Sequence, residues 1–197
     1  MSKRAIIAGV VAGFVVFFAG AIEHMVLQWG DRAMRPLPKE TEVLDFIKSQ
    51  NLTRGLYSFP EAKLDVPAAD RDRVWDELNT KYKAGPNGLL LIGPTGEDMM
   101  GTVQLGGELM TNIITGLIAA WIVSSLCPTL GFRKRWLVVL LIGVCAWLSQ
   151  NVSYGLWYRF PSDLIRDEGF CVLLEWSLAG LVIVAIVKPV PNPVAAE

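Results

Sequence analysis

Four long apolar blocks constrain this chain more than any other feature of its sequence. Three of them carry no charge and the fourth contains only Glu175; they are residues 5–22, 109–132, 136–158 and 169–187. A helix needs roughly 20 mostly apolar residues to cross a hydrocarbon core about 30 Å thick, so each block can span a bilayer. The hydrophobic content of 52% exceeds the usual share in globular chains. We therefore predict a membrane α-helical fold, a four transmembrane helix bundle.

The basic residues of the short segments predict how the bundle is oriented. They precede the first block, join the second to the third and follow the fourth, as Lys3, Arg4, Arg133, Lys134, Arg135 and Lys188. Such residues accumulate on the cytoplasmic side of membranes. The expected protein is a multi-pass protein of the bacterial inner (cytoplasmic) membrane with both termini in the cytoplasm.

This orientation divides the chain into four parts. Transmembrane helix 1 lies within residues 1–30, an extracytoplasmic module occupies 31–101, helices 2–4 occupy 102–188, and a cytoplasmic tail occupies 189–197. One alternative concerns the start, because two basic residues, an apolar run and Ala19-Gly20-Ala21 also fit a cleaved secretory signal within residues 1–21. The apolar run continues through Leu27, which favours an uncleaved helix.

The 31–101 segment has the patterns of a small α+β insert between helices 1 and 2. Apolar spacing predicts helices over residues 38–50 and 67–83, each followed by a short strand, at 52–59 and 89–92. Two strands alone are marginally stable in water. We expect this module to need the membrane helices, a second copy or a partner to complete its core.

A set of polar residues lies in or next to the apolar blocks, and all of it falls on the extracytoplasmic side of the predicted bundle. Its members form the predicted polar intramembrane cluster: Glu23, His24, Glu108, Asn112, Gln150, Tyr154 and Glu175. Ionisable groups in hydrocarbon are costly and usually face protein, water or a partner. On the first helix, Gly9 and Gly13 also form a small-residue packing motif. Helical spacing predicts that the polar stripes converge.

Several interpretations of the cluster remain open. The simplest is polar packing or interfacial anchoring, in which Glu23 and Glu108 reach the headgroups and Glu175 needs a partner. A metal site would use His24, Glu23, Glu108 and Glu175, although a single histidine gives thin support. His24 above Gly20 also suits a tetrapyrrole. A proton or ion path through Glu175 would need an oligomer, since four spans are few.

The cysteine positions and the net charge exclude two classes of protein, disulfide-stabilised and nucleic-acid-binding. Cys127, Cys145 and Cys171 all lie in apolar blocks, so no disulfide framework is predicted for the insert. The net charge is -1 and no basic patch is concentrated, so nucleic acid is not an expected partner.

Four segments resemble small, uncharacterised four-span bacterial inner-membrane proteins that have one large loop after the first span. They are residues 20–27 (GAIEHMVL), 81–90 (KYKAGPNGLL), 94–96 (PTG) and 153–161 (SYGLWYRFP). The resemblance implies the fold given above. It implies no activity, so no functional residue is carried over from it.

Together these observations predict a non-enzymatic integral membrane protein with no catalytic residues. We expect an accessory or scaffolding subunit of a larger membrane complex, for example respiratory or photosynthetic, or a homo-oligomer. Its partners would be membrane lipid and other membrane protein subunits or its own copies. The alternatives are a metal- or tetrapyrrole-binding membrane protein centred on His24 and an oligomeric proton or ion conductor.

Overall fold

The computed structural model describes residues 1–29, 31–61 and 65–190. It is mostly helical, at 69%, with one small two-stranded sheet. The chain forms two compact units, one made of Met1–Arg35 with Asp98–Glu197 and the other of Pro36–Glu97. The predicted tail at 189–197 lies outside the described residues from position 191 onward.

The elements follow one another in a simple order. They are α1 (Lys3–Met25), a 3₁₀ turn (Asp31–Ala33), α2 (Glu40–Ser49), β1 (Gly55–Phe59), a 3₁₀ turn (Ala68–Asp70), α3 (Arg71–Ala84), β2 (Gly88–Ile92), α4 (Thr102–Ser125), α5 (Phe132–Trp147), a π-helical turn (Leu148–Val152), α6 (Ser153–Tyr158) and α7 (Ser162–Ile186).

Among the described residues, four helices are long and apolar enough to cross a membrane. They are Lys3–Met25, Thr102–Ser125, the continuous helix Phe132–Tyr158 and Ser162–Ile186. This confirms the predicted number and approximate position of the long apolar helices. The fourth helix begins earlier than its apolar block, at Ser162 directly after Pro161, because proline ends the preceding segment and suits a helix start.

Helix α1 packs between α4 and α7, and α5 packs against α7. The α1–α4 contact is close because glycines from both helices meet in it. A Cβ built on Gly13 would lie 2.5 Å from the Ile113 Cα, and one on Gly9 would lie 2.6 Å from the Leu117 Cα. A Cβ on Gly116 would collide with the Gly9 carbonyl oxygen. The predicted packing role of Gly9 and Gly13 is confirmed.

The α5–α7 contact is packed differently, because tryptophan rings lie against glycines of the facing helix. The pairs are Trp136 with Gly180, Trp176 with Gly143, and Trp147 with Gly169. Two indole N–H groups also donate to carbonyl oxygens of α7, Trp136 to Ser177 at 3.1 Å and Trp147 to Ile165 at 3.0 Å. Trp147 and Trp176 are therefore half-buried in this contact, whereas Trp121 is exposed.

Replacing Gly143 with alanine should loosen the α5–α7 contact, since the new methyl group would overlap the Trp176 ring. We expect a loss of about 1.5 kcal/mol in the free energy of unfolding in detergent. The double variant with Trp176→Leu should lose less than the sum of the two single changes, because the smaller side chain leaves space for the methyl group. Additive losses would contradict the packing described here.

The Pro36–Glu97 unit contains the two strands, which pair antiparallel from Gly55 opposite Ile92 to Phe59 opposite Gly88. The first strand starts at Gly55 and is shorter than the predicted 52–59. The helices lie close to their predicted positions. None of the described residues of this unit is fully buried, which agrees with the expectation that it has a marginal core of its own.

Candidate functional site

The site starts from Glu23, in the last turn of α1. Its side chain is fully buried, with an exposed fraction of 0%. Neither carboxylate oxygen accepts a hydrogen bond from an N–H or O–H group of the described residues. A buried acceptor without a donor costs free energy, so this carboxyl group needs an explanation.

Helix α7 supplies the groups that interact with Glu23. The Glu175 carboxyl and the Cys171 thiol are its side-chain neighbours on this helix. Glu175 lies against the first helix at Gly20, where a Cβ would be 3.1 Å from the Glu175 Oε1. Gly20 therefore leaves the space that the Glu175 carboxyl occupies, so two acidic side chains lie together between α1 and α7.

Two carboxylates can only accept hydrogen bonds, so this pair forms a hydrogen bond only when one member carries a proton. With both groups ionised, two like charges would face each other in a poorly hydrated space. The pair therefore requires a proton or a cation to be stable. This requirement separates Glu23 and Glu175 from the other acidic residues of the chain.

A cleft of about 610 Å³ opens beside this pair, between α1, α4 and α7. Its lining brings together four members of the predicted cluster: His24, Glu108, Asn112 and Glu175. The rest of the wall consists of small and apolar residues, Phe17, Gly20, Ala21, Met25, Met100 and Leu105. No lysine or arginine lines the described cleft, and His24 is the one basic residue in its wall.

Helix α4 contributes the second acidic wall of the cleft. The Asn112 side-chain amide donates to the Glu108 carboxylate at 3.1 Å, across one helical turn. Asn112 and Glu175 also line a smaller adjoining cavity of about 110 Å³. The polar stripes of α1, α4 and α7 therefore converge, as their helical spacing predicts.

Two members of the predicted cluster lie elsewhere. Gln150 and Tyr154 are exposed and do not line the cleft. The Tyr154 ring instead packs against Tyr158 at 5.5 Å and Phe160 at 5.6 Å between ring centroids. Their helix packs mainly on α7 and only slightly on α4, and neither side chain reaches the cleft. Similar depth along a helix does not bring side chains onto facing surfaces.

The expected roles of the acidic residues also change. Glu23 does not reach outward as an interfacial anchor, because its whole side chain is buried against α7. Glu108 is exposed at the cleft, which agrees with a peripheral position. Glu175 has an acidic neighbour, Glu23, where the sequence indicated only that it needs a partner.

A second buried carboxylate, Asp167, was not predicted from the sequence. It lies on α7 with an exposed fraction of 0% and binds the Arg32 guanidinium in a bidentate ion pair, through Nε at 2.5 Å and an Nη at 2.8 Å. Arg166 also donates to it at 2.9 Å. The hydrogen bond with Asp167 raises the pKa of Arg32 above its ordinary value. The Arg32–Asp167 ion pair connects the segment that follows α1 to the first turns of α7.

The sequence contained a signal for this residue. Pro161 followed by Ser162 and Asp163 is typical of a helix start, which places Asp167 inside the fourth helix. At that position it shares a face with Cys171 and Glu175, at intervals of four residues. The predicted fourth span started at Gly169, the first residue of its apolar block, and so did not include Asp167.

Replacing Arg32 with glutamine should weaken the attachment of the segment that follows α1. Asp167 would keep only Arg166, and the bidentate geometry would be lost. We expect a lower thermal midpoint and faster protease cleavage between residues 26 and 35. The matched change Arg35→Gln should leave both unchanged, and equal effects of the two changes would show that the ion pair has no such role.

Arg135 also departs from the prediction. It was placed in a cytoplasmic loop, but it belongs to α5, is only 1% exposed and donates to the Val187 carbonyl oxygen at 2.7 Å. Arg133 and Lys134 remain exposed. The long aliphatic part of the Arg135 side chain allows it to pack in the core while its guanidinium satisfies the end of α7.

Within the part of the chain that the structure describes, no three His, Cys, Asp or Glu side chains are grouped so that they could hold a metal ion.

No protein-family model matches the chain, and neither a curated protein nor a solved structure matches it. The fold and the site define the class: a helical protein with four helices long enough to cross a membrane and a carboxyl-lined cleft between α1, α4 and α7.

Proposed function

We propose that the chain is an integral protein of a bacterial inner membrane, with both termini in the cytoplasm and the 31–101 insert outside. Four long apolar helices support this topology. The exposed basic residues Lys3, Arg4, Arg133 and Lys134 support the same orientation, because they lie at the ends that the positive-inside rule places in the cytoplasm.

Reporter fusions test this topology. Alkaline phosphatase fused after residue 60 should be active, because that enzyme folds only outside the cytoplasm, whereas a fusion at the C-terminus should be inactive. Green fluorescent protein at the same two sites should give the opposite pattern. An active phosphatase at the C-terminus would contradict the proposed orientation.

Within that membrane, we propose that the protein acts without catalysis as an accessory or scaffolding subunit of a larger complex. The observation that carries this proposal is the exposed Gln150 amide, in the π-helical turn of the third long helix. None of the described residues forms a hydrogen bond with its side chain. Lipid offers an amide no good partner, while a neighbouring transmembrane helix does.

The surroundings of Gln150 agree with a protein neighbour. The helix packs mainly on α7 and makes a small contact with α4, so much of its surface is available to a neighbour. Ser149, also exposed, stands beside the amide and donates to the Ala146 carbonyl oxygen at 3.1 Å. Single π-helical turns occur often at functional positions, and small polar residues are common where helices meet in membranes.

Site-specific photocrosslinking in native membranes tests this subunit role. A photoreactive amino acid at position 150 should give a discrete adduct with another membrane protein, and the same probe at exposed Leu141 should label lipid. An adduct of twice the chain mass would instead identify a homo-oligomer. A protein that purifies only as a monomer in mild detergent, without adducts at position 150, would overturn the proposal.

The Gln150→Leu variant separates the partner contact from folding. We expect the position-150 partner to co-purify at least about tenfold less with this variant, because the interhelical hydrogen bond is lost. The thermal midpoint of the isolated protein should not change, since none of the described residues forms a hydrogen bond with this side chain. An unchanged yield of partner would contradict the assignment of this face.

A further inference from the structure

We propose that the cleft between α1, α4 and α7 binds an organic ammonium group with an apolar body. The proposal does not depend on the subunit role, which concerns the outer face of the third long helix. It depends on the chemistry of the cleft wall, on the buried carboxyl behind that wall and on the volume of the space.

The size and lining of the cleft suit such a ligand. Its volume of about 610 Å³ is within the range of small-molecule sites. Most of its wall is apolar, with Phe17, Met25, Met100 and Leu105 able to cover a hydrocarbon or aromatic body. The Phe17 ring also offers a favourable surface to a cation.

The charge of the cleft selects a cation. The Glu175 and Glu108 carboxyl groups both line it, and among the described residues His24 is the only basic one in its wall. Asn112 already directs its amide donor to Glu108. An ammonium group can donate up to three hydrogen bonds, so it can meet Glu175 while its charge compensates the acidic wall.

The buried Glu23 gives the independent support for this assignment. It lies next to Glu175 and is fully buried, and neither of its oxygens accepts a hydrogen bond from an N–H or O–H group of the described residues. An acidic pair in such a place is stable with a proton or with a cation beside it. An ammonium on the cleft side of Glu175 would place a positive charge next to this pair, in a wall whose only basic residue among those described is His24.

A metal ion fits these groups less well than an ammonium. The described residues contain no group of three side chains able to hold a metal, and the wall offers apolar surface that a small inorganic ion does not use. The ammonium could come from a lipid headgroup or from a free amine, and both sources share the same recognition chemistry.

Calorimetry with phenylbutylamine tests the proposal on the full-length protein in dodecyl maltoside. The amine should bind with one site per chain, and the matched neutral alcohol, phenylbutanol, should bind at least about tenfold more weakly because it lacks the charge. Equal binding of amine and alcohol, or binding of neither, would overturn the proposal.

Two variants locate the site. Glu175→Gln should reduce amine affinity at least about tenfold, and the exposed Glu108→Gln about threefold, while Glu40→Gln in the insert should have no effect. The thermal midpoint of each variant establishes that it is folded, and Glu108 provides the second test if Glu175→Gln does not fold. Unchanged affinity in both cleft variants would contradict the site.

Adding phosphatidylethanolamine to the micelles identifies the source of the ammonium. If the headgroup occupies the cleft, the lipid should lower the apparent affinity for phenylbutylamine by competition. If the natural ligand is a free amine, the affinity should stay the same. Either result supports an ammonium site, provided that phenylbutylamine binds more tightly than phenylbutanol.

Discussion

Replacing Gly116 with alanine should separate α1 from α4 and lower the free energy of unfolding by about 3 kcal/mol. The new Cβ would collide with the Gly9 carbonyl oxygen and lie 3.1 Å from the Gly13 backbone nitrogen. Both contacts involve backbone atoms, so no change of rotamer can relieve them. The helices must move apart and lose the packing of the buried alanines around them.

Reversible unfolding in mixed detergent micelles measures this loss. Gly107→Ala on the same helix is the matched control, because a Cβ there meets nothing within 4 Å. Its stability should stay the same or rise by up to about 1 kcal/mol, as alanine favours the helix. Equal stability of the Gly116 and Gly107 variants would contradict the close α1–α4 contact.

Replacing Glu23 with glutamine should stabilise the protein by about 2 kcal/mol at about pH 8 in the absence of ligand. The change keeps the size and shape of a fully buried side chain and removes one of two neighbouring acidic groups. The new amide can donate to the Glu175 carboxylate, which has only acceptors otherwise. Most changes at buried polar positions destabilise proteins. A gain in stability would therefore show that the two neighbouring carboxylates are unfavourable in the folded protein.

The same unfolding experiment on two further variants completes this test. Glu108→Gln should have little effect, because that carboxylate is exposed and already accepts from Asn112. Glu23→Ala should destabilise, since it removes the volume of the side chain from a packed helix contact. A loss of stability in Glu23→Gln equal to that in Glu23→Ala would show that the carboxylate itself is needed for folding.

The two helix contacts explain why part of the packing was predictable. Gly9 and Gly13 are spaced one turn apart on a helix without charge, and that spacing alone indicates a close contact. Their partner, Gly116, could not be chosen from the sequence because small residues also lie elsewhere in the apolar blocks. The pairing of each tryptophan with a glycine on the facing helix likewise depends on the rotation of α5 against α7.

The cluster of polar residues was only partly predictable for a related reason. Helical period and distance from the helix ends placed Glu23, Glu108 and Glu175 at one level, and that level is the cleft. Neither quantity says which helices are neighbours. Gln150 and Tyr154 lie on a helix that packs mainly on α7, and neither residue lines the cleft.

The sequence by itself determined the four apolar helices, the mixed insert and the polar stripes, because these follow from length, hydrophobicity and the period of one helix. Only the tertiary structure decided that Glu23 is buried beside Glu175, that Asp167 binds Arg32, and that Arg135 packs in the core. These are contacts between helices, and they depend on which faces meet, which local periodicity does not encode.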